Sequence, residues 1–177
     1  MSVPASALST AEVANLLPVT VAALRTEVGS LPERVVGWHP APDEWCVKDV
    51  IGHLIEAERR GFAGRIRIIL SADNPTFDRW DPPAVARLRG DCTKPVTVLL
   101  DELIALRQDS VTLVRGLREA DLDRGGQHPA VGSLSVRDLL AEWVYHDRNH
   151  LRQALANVQA YVWPTMGNAQ KFSAPAP

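Results

Sequence analysis

Residues 135–155 read SVRDLLAEWVYHDRNHLRQAL and predict an amphipathic helix that carries a pair of candidate metal ligands. Ser135 is followed three residues later by Asp138, a capping-box pattern that marks a helix start. Further along, His146 and His150 lie four residues apart, so at 3.6 residues per turn their side chains share one face. Two imidazoles presented in this way can chelate one divalent cation, as in helical zinc sites.

Three further segments with apolar stripes predict three more helices. Their approximate bounds are Ser9 to Gly29, Val47 to Leu70 and Thr93 to Gly116. No segment shows the strict alternation of a convincing β-strand. Four helices joined by polar loops containing Pro and Gly predict an all-α four-helix bundle.

The longest connection, about Ser71–Cys92, is longer than an antiparallel pair of helices needs. It predicts a crossover between the second and third helices that runs back along the bundle, with a short helix near Pro83–Arg89. A single domain is expected over residues 1–160, followed by an Ala- and Pro-bearing tail over 161–177 that packs loosely or lacks order.

Composition indicates an ordinary globular protein. The chain has 177 residues, of which 46% are hydrophobic and 23% charged, enough for one sizeable core. The formal net charge of −2 and the absence of basic runs argue against a nucleic-acid partner. The sequence has neither a signal-peptide pattern nor a run of about 20 apolar residues, so a cytoplasmic protein with no membrane partner is expected.

The two cysteines, Cys46 and Cys92, predict no disulfide framework and no zinc knuckle, because they are far apart and form no CxxC motif. Cys46 is expected to be a small buried side chain at the start of the second helix. Cys92 is expected in a loop, without a partner that would activate its thiol.

A third histidine, His53, lies in the second helix among apolar residues that indicate an inward side. On the fourth helix, Trp143, His146 and His150 share the stripe that faces the core. Three inward imidazoles could occupy three positions around one cation and leave the others open, the arrangement of a catalytic metal site. The alternative is that the histidines are hydrogen-bonded core residues, and the spacing by itself leaves both interpretations open.

Carboxylates offer a competing arrangement. Di-iron bundles combine Glu residues with Glu-x-x-His pairs, and this chain has no such pair, so a dinuclear site is disfavoured. Glu142 could orient an imidazole N–H or lie in solvent, and Asp147 is expected to be a solvated charge on the helix surface.

The remaining candidates also lie on the fourth helix. Glu142, Tyr145 and Arg148 are candidate catalytic residues, Tyr145 and Arg148 because they could contact an anionic substrate. Trp143 is a candidate wall of the pocket, one turn from His146. For Tyr145 and Arg148 the alternative of ordinary solvated helix residues is equally open.

Two motifs together resemble those of the DinB/YfiT-like superfamily. Residues 45–58, WCVKDVIGHLIEAE, are similar to the start of that family's second helix, and residues 128–153 are similar to its closing motif. The resemblance implies a four-helix bundle with a crossover between helices 2 and 3 and, because many members are homodimers, it also implies that this chain forms a homodimer. It further implies a divalent metal, often nickel or zinc, held by His53, His146 and His150.

The function implied by the resemblance is that of a metal-dependent enzyme acting on a small molecule. Some relatives are S-transferases that use a low-molecular-weight thiol such as mycothiol, bacillithiol or glutathione, and a hydrolase is the other expectation. The alternative is a stress-response protein that binds a metal or small molecule without turnover. One departure is Cys46, because family members usually have Ser or Thr there, which caps a helix better than a thiol does.

Overall fold

Four long helical segments form the predicted four-helix bundle in the computed structural model, which describes residues 6–173. They are α1 (Thr10–Val28), α3 with α4 (Val47–Glu56 and Ala63–Ser71), α6 (Val96–Arg115) and α8 (Val136–Val162). The short helices are α2 (Glu33–Val36), α5 (Pro82–Arg89), α7 (Glu119–Leu122) and α9 (Gln170–Ser173). Both α1 and α3 pack against α6 and α8, so α1 and α3 lie diagonally opposite each other.

The helix starts follow the capping patterns of the sequence. The backbone N–H of Asp138 donates to Oγ of Ser135 at 3.1 Å, and that of Glu12 donates to Oγ of Ser9 at 3.3 Å. Apolar stripes from the four segments fill the interior, where Leu17, Ile51 and Leu99 are fully buried. None of the helices in the described part of the chain is long and apolar enough to cross a membrane.

The predicted second helix is divided by a π turn at Ala57–Gly61. Its signature is the N–H of Phe62, which donates to the carbonyl oxygen of Ala57, five residues earlier, at 2.8 Å. The extra residue in this turn rotates everything after it by about 100° relative to an uninterrupted α-helix. The π turn therefore determines which side chains of α4 face the same way as those of α3.

The prediction that the chain has no strand was wrong. Strands β1 (Gly125–His128) and β2 (Gly132–Ser135) pair antiparallel as a short hairpin in front of α8. The crossover joins the hairpin, because the N–H of Phe77 donates to the carbonyl of Gln127 at 2.8 Å. Gly126 is needed here, since a Cβ at this position would lie 2.5 Å from the ring of Phe77.

The crossover between α4 and α6 contains α5, at the place where the sequence predicted a short helix. A disulfide joins Cys46, just before α3, to Cys92, just after α5, and their Cα atoms are 6.8 Å apart. The expectation of no disulfide was therefore wrong, because only the return of the crossover brings these two residues together. In the predicted tail, short helical turns continue to Ser173, and residues 174–177 lie outside the described range.

Candidate metal centre

His53, His146 and His150 meet between α3 and α8, and we call them the histidine cluster. The ring centroid of His150 lies 4.4 Å from those of both His53 and His146, and the latter two are 5.0 Å apart. The Nε2 atoms of His53 and His146 are 2.9 Å apart, so they point at one place. Each of the three offers a nitrogen within 4.8 Å of the others.

The protonation of His150 is fixed by its neighbour. Its Nδ1 lies 2.8 Å from Oε1 of Gln153, and an amide oxygen can only accept, so Nδ1 carries the proton. The unprotonated nitrogen of His150 is therefore Nε2. A metal-ligating histidine usually donates its other ring N–H to a neighbouring acceptor in this way.

Burial keeps the other two histidines neutral. It lowers the pKa of His53 and of His146 to about 3, with repulsion from the ring of His150 as a further cause. Burial also lowers the pKa of His150. Within the described residues, the Nδ1 atoms of His53 and His146 are buried and have no hydrogen-bond partner. Three neutral imidazoles form a donor set that suits zinc or nickel, so these residues fit a divalent cation.

Aromatic rings surround the histidine cluster. The ring of Trp80, from the crossover, stacks on His53 at 5.6 Å and 19°, and the ring of Trp45 lies 5.0 Å from His53. Phe62 meets His146 edge-on at 5.1 Å. These apolar walls limit the water that reaches the imidazoles, which strengthens electrostatic interactions there.

A buried ion network forms the floor beneath the cluster. The guanidinium of Arg107 pairs with Asp147 and with Glu58, both at 2.5 Å, and Ser110 donates to Glu58. Asp147 is fully buried, so the expectation of a solvated charge was wrong; its partner on α6 lies 40 residues away in sequence. Burial raises the pKa of Glu58 to about 7, although Arg107 opposes the shift.

A cavity of about 790 Å³ opens beside His53 and His146. Polar groups on its wall include Arg65, His128 and Glu142. Arg65 extends over the ring of Phe77 at 5.6 Å, and among the described residues its buried Nε has no hydrogen-bond partner. The cavity therefore brings two imidazoles of the histidine cluster, His53 and His146, together with a cationic side chain, an arrangement that suits a small anionic molecule.

The candidates on α8 lie in different surroundings. Glu142 is exposed and lines the cavity. Arg148 turns towards α1, where it donates to Oγ1 of Thr20 at 2.7 Å, and Tyr145 is 64% exposed. Trp143 is 1% exposed and stacks on Phe62, whose ring also meets that of His146.

Sequence reasoning missed Arg65 and Trp80. In a regular α-helix Arg65 would point roughly 120° away from His53, twelve residues earlier, but the π turn reduces this offset to roughly 20°. No rule based on residue propensities predicts that π turn, so nothing in the sequence indicated that Arg65 faces the cavity. Trp80 lies in the crossover, where no periodicity exists to say which way it faces.

Comparison with known proteins identifies the family of this chain. The model of the DinB superfamily matches residues 18–154. A protein of Oceanobacillus iheyensis that carries the provisional name of a metal-dependent hydrolase is 28% identical over 107 residues, which are 60% of this chain. The match takes up 61% of that relative, so the chain spans about three fifths of its length. A similarly named protein of Halalkalibacterium halodurans is 25% identical over 136 residues, 71% of this chain and 78% of the relative.

A solved structure shares the fold. YfiT from Bacillus subtilis, described as a probable metal-dependent hydrolase with an unusual four-helix bundle topology, superposes with a TM-score of 0.80. The two chains are 20% identical, and the superposition covers 92% of this chain and 94% of YfiT. At this identity the likeness concerns the fold alone.

Proposed function

The chain belongs to the DinB superfamily, and from this premise we propose that it is a metal-dependent enzyme that hydrolyses a small molecule. The observation that carries the proposal is the convergence of three neutral imidazoles, with the Nε2 atoms of His53 and His146 2.9 Å apart. The provisional names of the relatives support hydrolysis as the reaction class.

His53, His146 and His150 would hold one divalent cation, zinc or nickel, through their Nε2 atoms. Such a cation supplies Lewis acidity, which lowers the pKa of a water or thiol nucleophile. Gln153 fixes the tautomer of His150, and the rings of Trp45 and Trp80 shield the imidazoles from bulk water.

The cavity wall suggests how a substrate would bind. Arg65 has a buried Nε without a partner in the described part of the chain, so an anionic group of the substrate would satisfy it. His128 and Glu142 lie on the same wall and could take or give a proton at the substrate. The feature of the substrate that this wall would select is its negative charge.

Turnover by untagged protein tests the proposal. We would assay a panel of anionic esters, amides and lactones, with and without glutathione, mycothiol or bacillithiol, in wild type and in His146→Ala. We expect metal-dependent hydrolysis without thiol, and a loss of more than roughly a hundredfold in His146→Ala. Tyr145→Phe, on the exposed side of the same helix, is the matched control and should retain activity.

Two other outcomes would replace this proposal. Turnover that requires a thiol would make the protein an S-transferase that uses the same three histidines. Tight binding of metal and ligand with no turnover of any pair in the panel would make it a binding protein.

A further inference from the structure

A second group of metal-ligating side chains lies at the start of α3, and we call it the cysteine cluster. It consists of His39, Cys46, Asp49 and Cys92, each of which offers one ligand atom within 4.8 Å of the others. The residues come from the loop after α2, the first turn of α3 and the turn after α5. We infer that the reduced chain binds one zinc ion here, and that oxidation of the two thiolates to the disulfide releases it.

The donor atoms have the chemistry that zinc selects. Two thiolates, an imidazole and a carboxylate are all zinc ligands, and four such groups complete a tetrahedral site. Nδ1 of His39 lies 2.7 Å from the carbonyl oxygen of Glu44, which can only accept, so Nδ1 is protonated and Nε2 is the nitrogen left for a cation.

An unusual contact points to a cation rather than to a simple cross-link. Sγ of Cys92 lies 3.0 Å from Oδ2 of Asp49, and in the disulfide this sulfur has no proton to donate. Two electron-rich atoms therefore face each other without a hydrogen between them, as ligands of one ion do. The same Oδ2 accepts the backbone N–H of Cys46 at 3.2 Å, which holds the carboxylate beside both sulfurs.

The distance between the backbones of Cys46 and Cys92 suits both the disulfide and a pair of zinc-bound thiolates. The Cα atoms of Cys46 and Cys92 are 6.8 Å apart, near the wide end of the roughly 4.4–6.8 Å that disulfides span. Small side-chain rotations are then enough to turn a disulfide into two ligands. Cys46 is fully buried, whereas His39 is exposed beside a cavity of about 360 Å³, so solvent, reductant and metal have a route of access.

The redox step balances with a dithiol as reductant. The S–S bond breaks as two electrons pass from the dithiol, which closes to its own disulfide, and its two protons end on the sulfurs of Cys46 and Cys92. Zinc binding then releases these two protons to solvent as two Zn–S bonds form. Oxidation by a disulfide reverses both steps.

Cobalt(II) is the probe that separates this site from the histidine cluster. Full-length protein is reduced with a dithiol, freed of reductant without oxygen, and titrated with Co²⁺. Only thiolate ligands give a sulfur-to-cobalt charge-transfer band, so we expect this band in reduced protein and not in oxidised protein. Because the histidine cluster has no sulfur, His146→Ala should keep the band, which makes this test independent of the proposed enzyme function.

Zinc stoichiometry and two variants complete the test. Reduction should add one zinc ion per chain, and His39→Ala should weaken binding of that ion roughly tenfold or more. The control is His128→Ala, which changes a histidine outside both clusters and should leave the affinity for this zinc ion unchanged. If reduction unfolds the chain, zinc should refold it, as followed by circular dichroism.

Three results would overturn the inference. The first is a reduced chain, with two thiols confirmed by titration, that shows no charge-transfer band and gains no zinc. The second is a band of undiminished intensity in Cys92→Ser, which keeps only one of the two thiols. The third is a reduced, unfolded chain that zinc fails to refold.

Discussion

The histidine cluster and the cysteine cluster both gather metal-ligating atoms within 4.8 Å, but the chain builds them in different ways. Two long helices carry the three histidines, and packing, aromatic walls and burial hold the rings in the neutral form. Loops and first turns carry the cysteine cluster, and its two sulfurs are ligands only after the disulfide opens. A site on rigid helices is ready for its ion, whereas a site on loops can be made conditional on redox state.

The supports of the two clusters differ as well. A buried ion network of Glu58, Arg107 and Asp147 lies beneath the histidine cluster, and a covalent bond holds the cysteine cluster together. Trp45 joins them, because it precedes Cys46 in the chain and its ring lies 5.0 Å from that of His53. Breaking each support in turn therefore tests whether the two clusters are independent.

Arg107→Met should have the largest effect on stability. It leaves Glu58 and Asp147 buried without their cation, so we expect the free energy of unfolding to fall by about 3–5 kcal/mol. Urea unfolding of the oxidised protein measures this loss. Arg25→Met is the control, since Arg25 pairs with Asp101 at 57% and 65% side-chain exposure and should change stability by less than about 1 kcal/mol. An equal loss of unfolding free energy in both variants would show that the buried ion network does not stabilise the fold.

Opening the disulfide should come next. In the presence of a chelator, reduction should lower the free energy of unfolding by about 2–4 kcal/mol, because the unfolded chain regains the freedom of the closed loop. Added zinc should restore part of that stability in the reduced protein only. The measurement is a pair of urea titrations with and without zinc. An unchanged midpoint on reduction would contradict the prediction.

Gln153→Ala should weaken the histidine cluster without removing a ligand. With no acceptor for its Nδ1 proton, His150 loses its fixed tautomer, and metal affinity should fall by about 10–100-fold. Competition with a coloured chelator, using oxidised protein, gives the affinity. Gln159→Ala, an exposed glutamine on the same helix, should leave it unchanged. A similar affinity in both variants would mean that Gln153 does not orient the ring.

Acid should destabilise the metal-free protein through the histidine cluster. The pKa of His53 is near 3 in the folded state, so below the ordinary value near 6.5 the unfolded chain binds more protons. This contribution is fully present above pH 6.5 and is lost as the pH falls towards 3, by about 2 kcal/mol at pH 5.

The control for this prediction is His53→Gln. Glu58, whose pKa is raised to about 7, stabilises the fold below that pH and acts in the opposite direction, but it is present in both proteins. The difference between the two stability–pH curves therefore isolates His53. Parallel curves between pH 7 and pH 5 would show that His53 is not held neutral by burial.

Local sequence patterns predicted much of the bundle and of the histidine cluster. Capping motifs and apolar stripes depend on near neighbours, and the i, i+4 spacing of His146 and His150 is a property of one helix. The apolar neighbours of His53 indicated that it also faces inward, and the family resemblance implied that all three histidines hold one metal. Both kinds of signal are present in the chain before it folds.

What escaped prediction depends on partners far away in sequence. Asp147 is buried because Arg107 reaches it from another helix, and Cys46 meets Cys92 because the crossover returns. The hairpin is also held by the crossover, through the hydrogen bond that the N–H of Phe77 donates to the carbonyl of Gln127. Arg65 faces the cavity because a single extra residue in the π turn rotates it there.

The metal content of untagged, oxidised protein tests the central claim most directly, because the disulfide then closes the cysteine cluster. Elemental analysis should find one divalent ion per chain in wild type and in His39→Ala. It should find none in His146→Ala that is folded as judged by circular dichroism. A wild-type chain free of metal, or a His146→Ala variant that keeps its ion, would contradict the account.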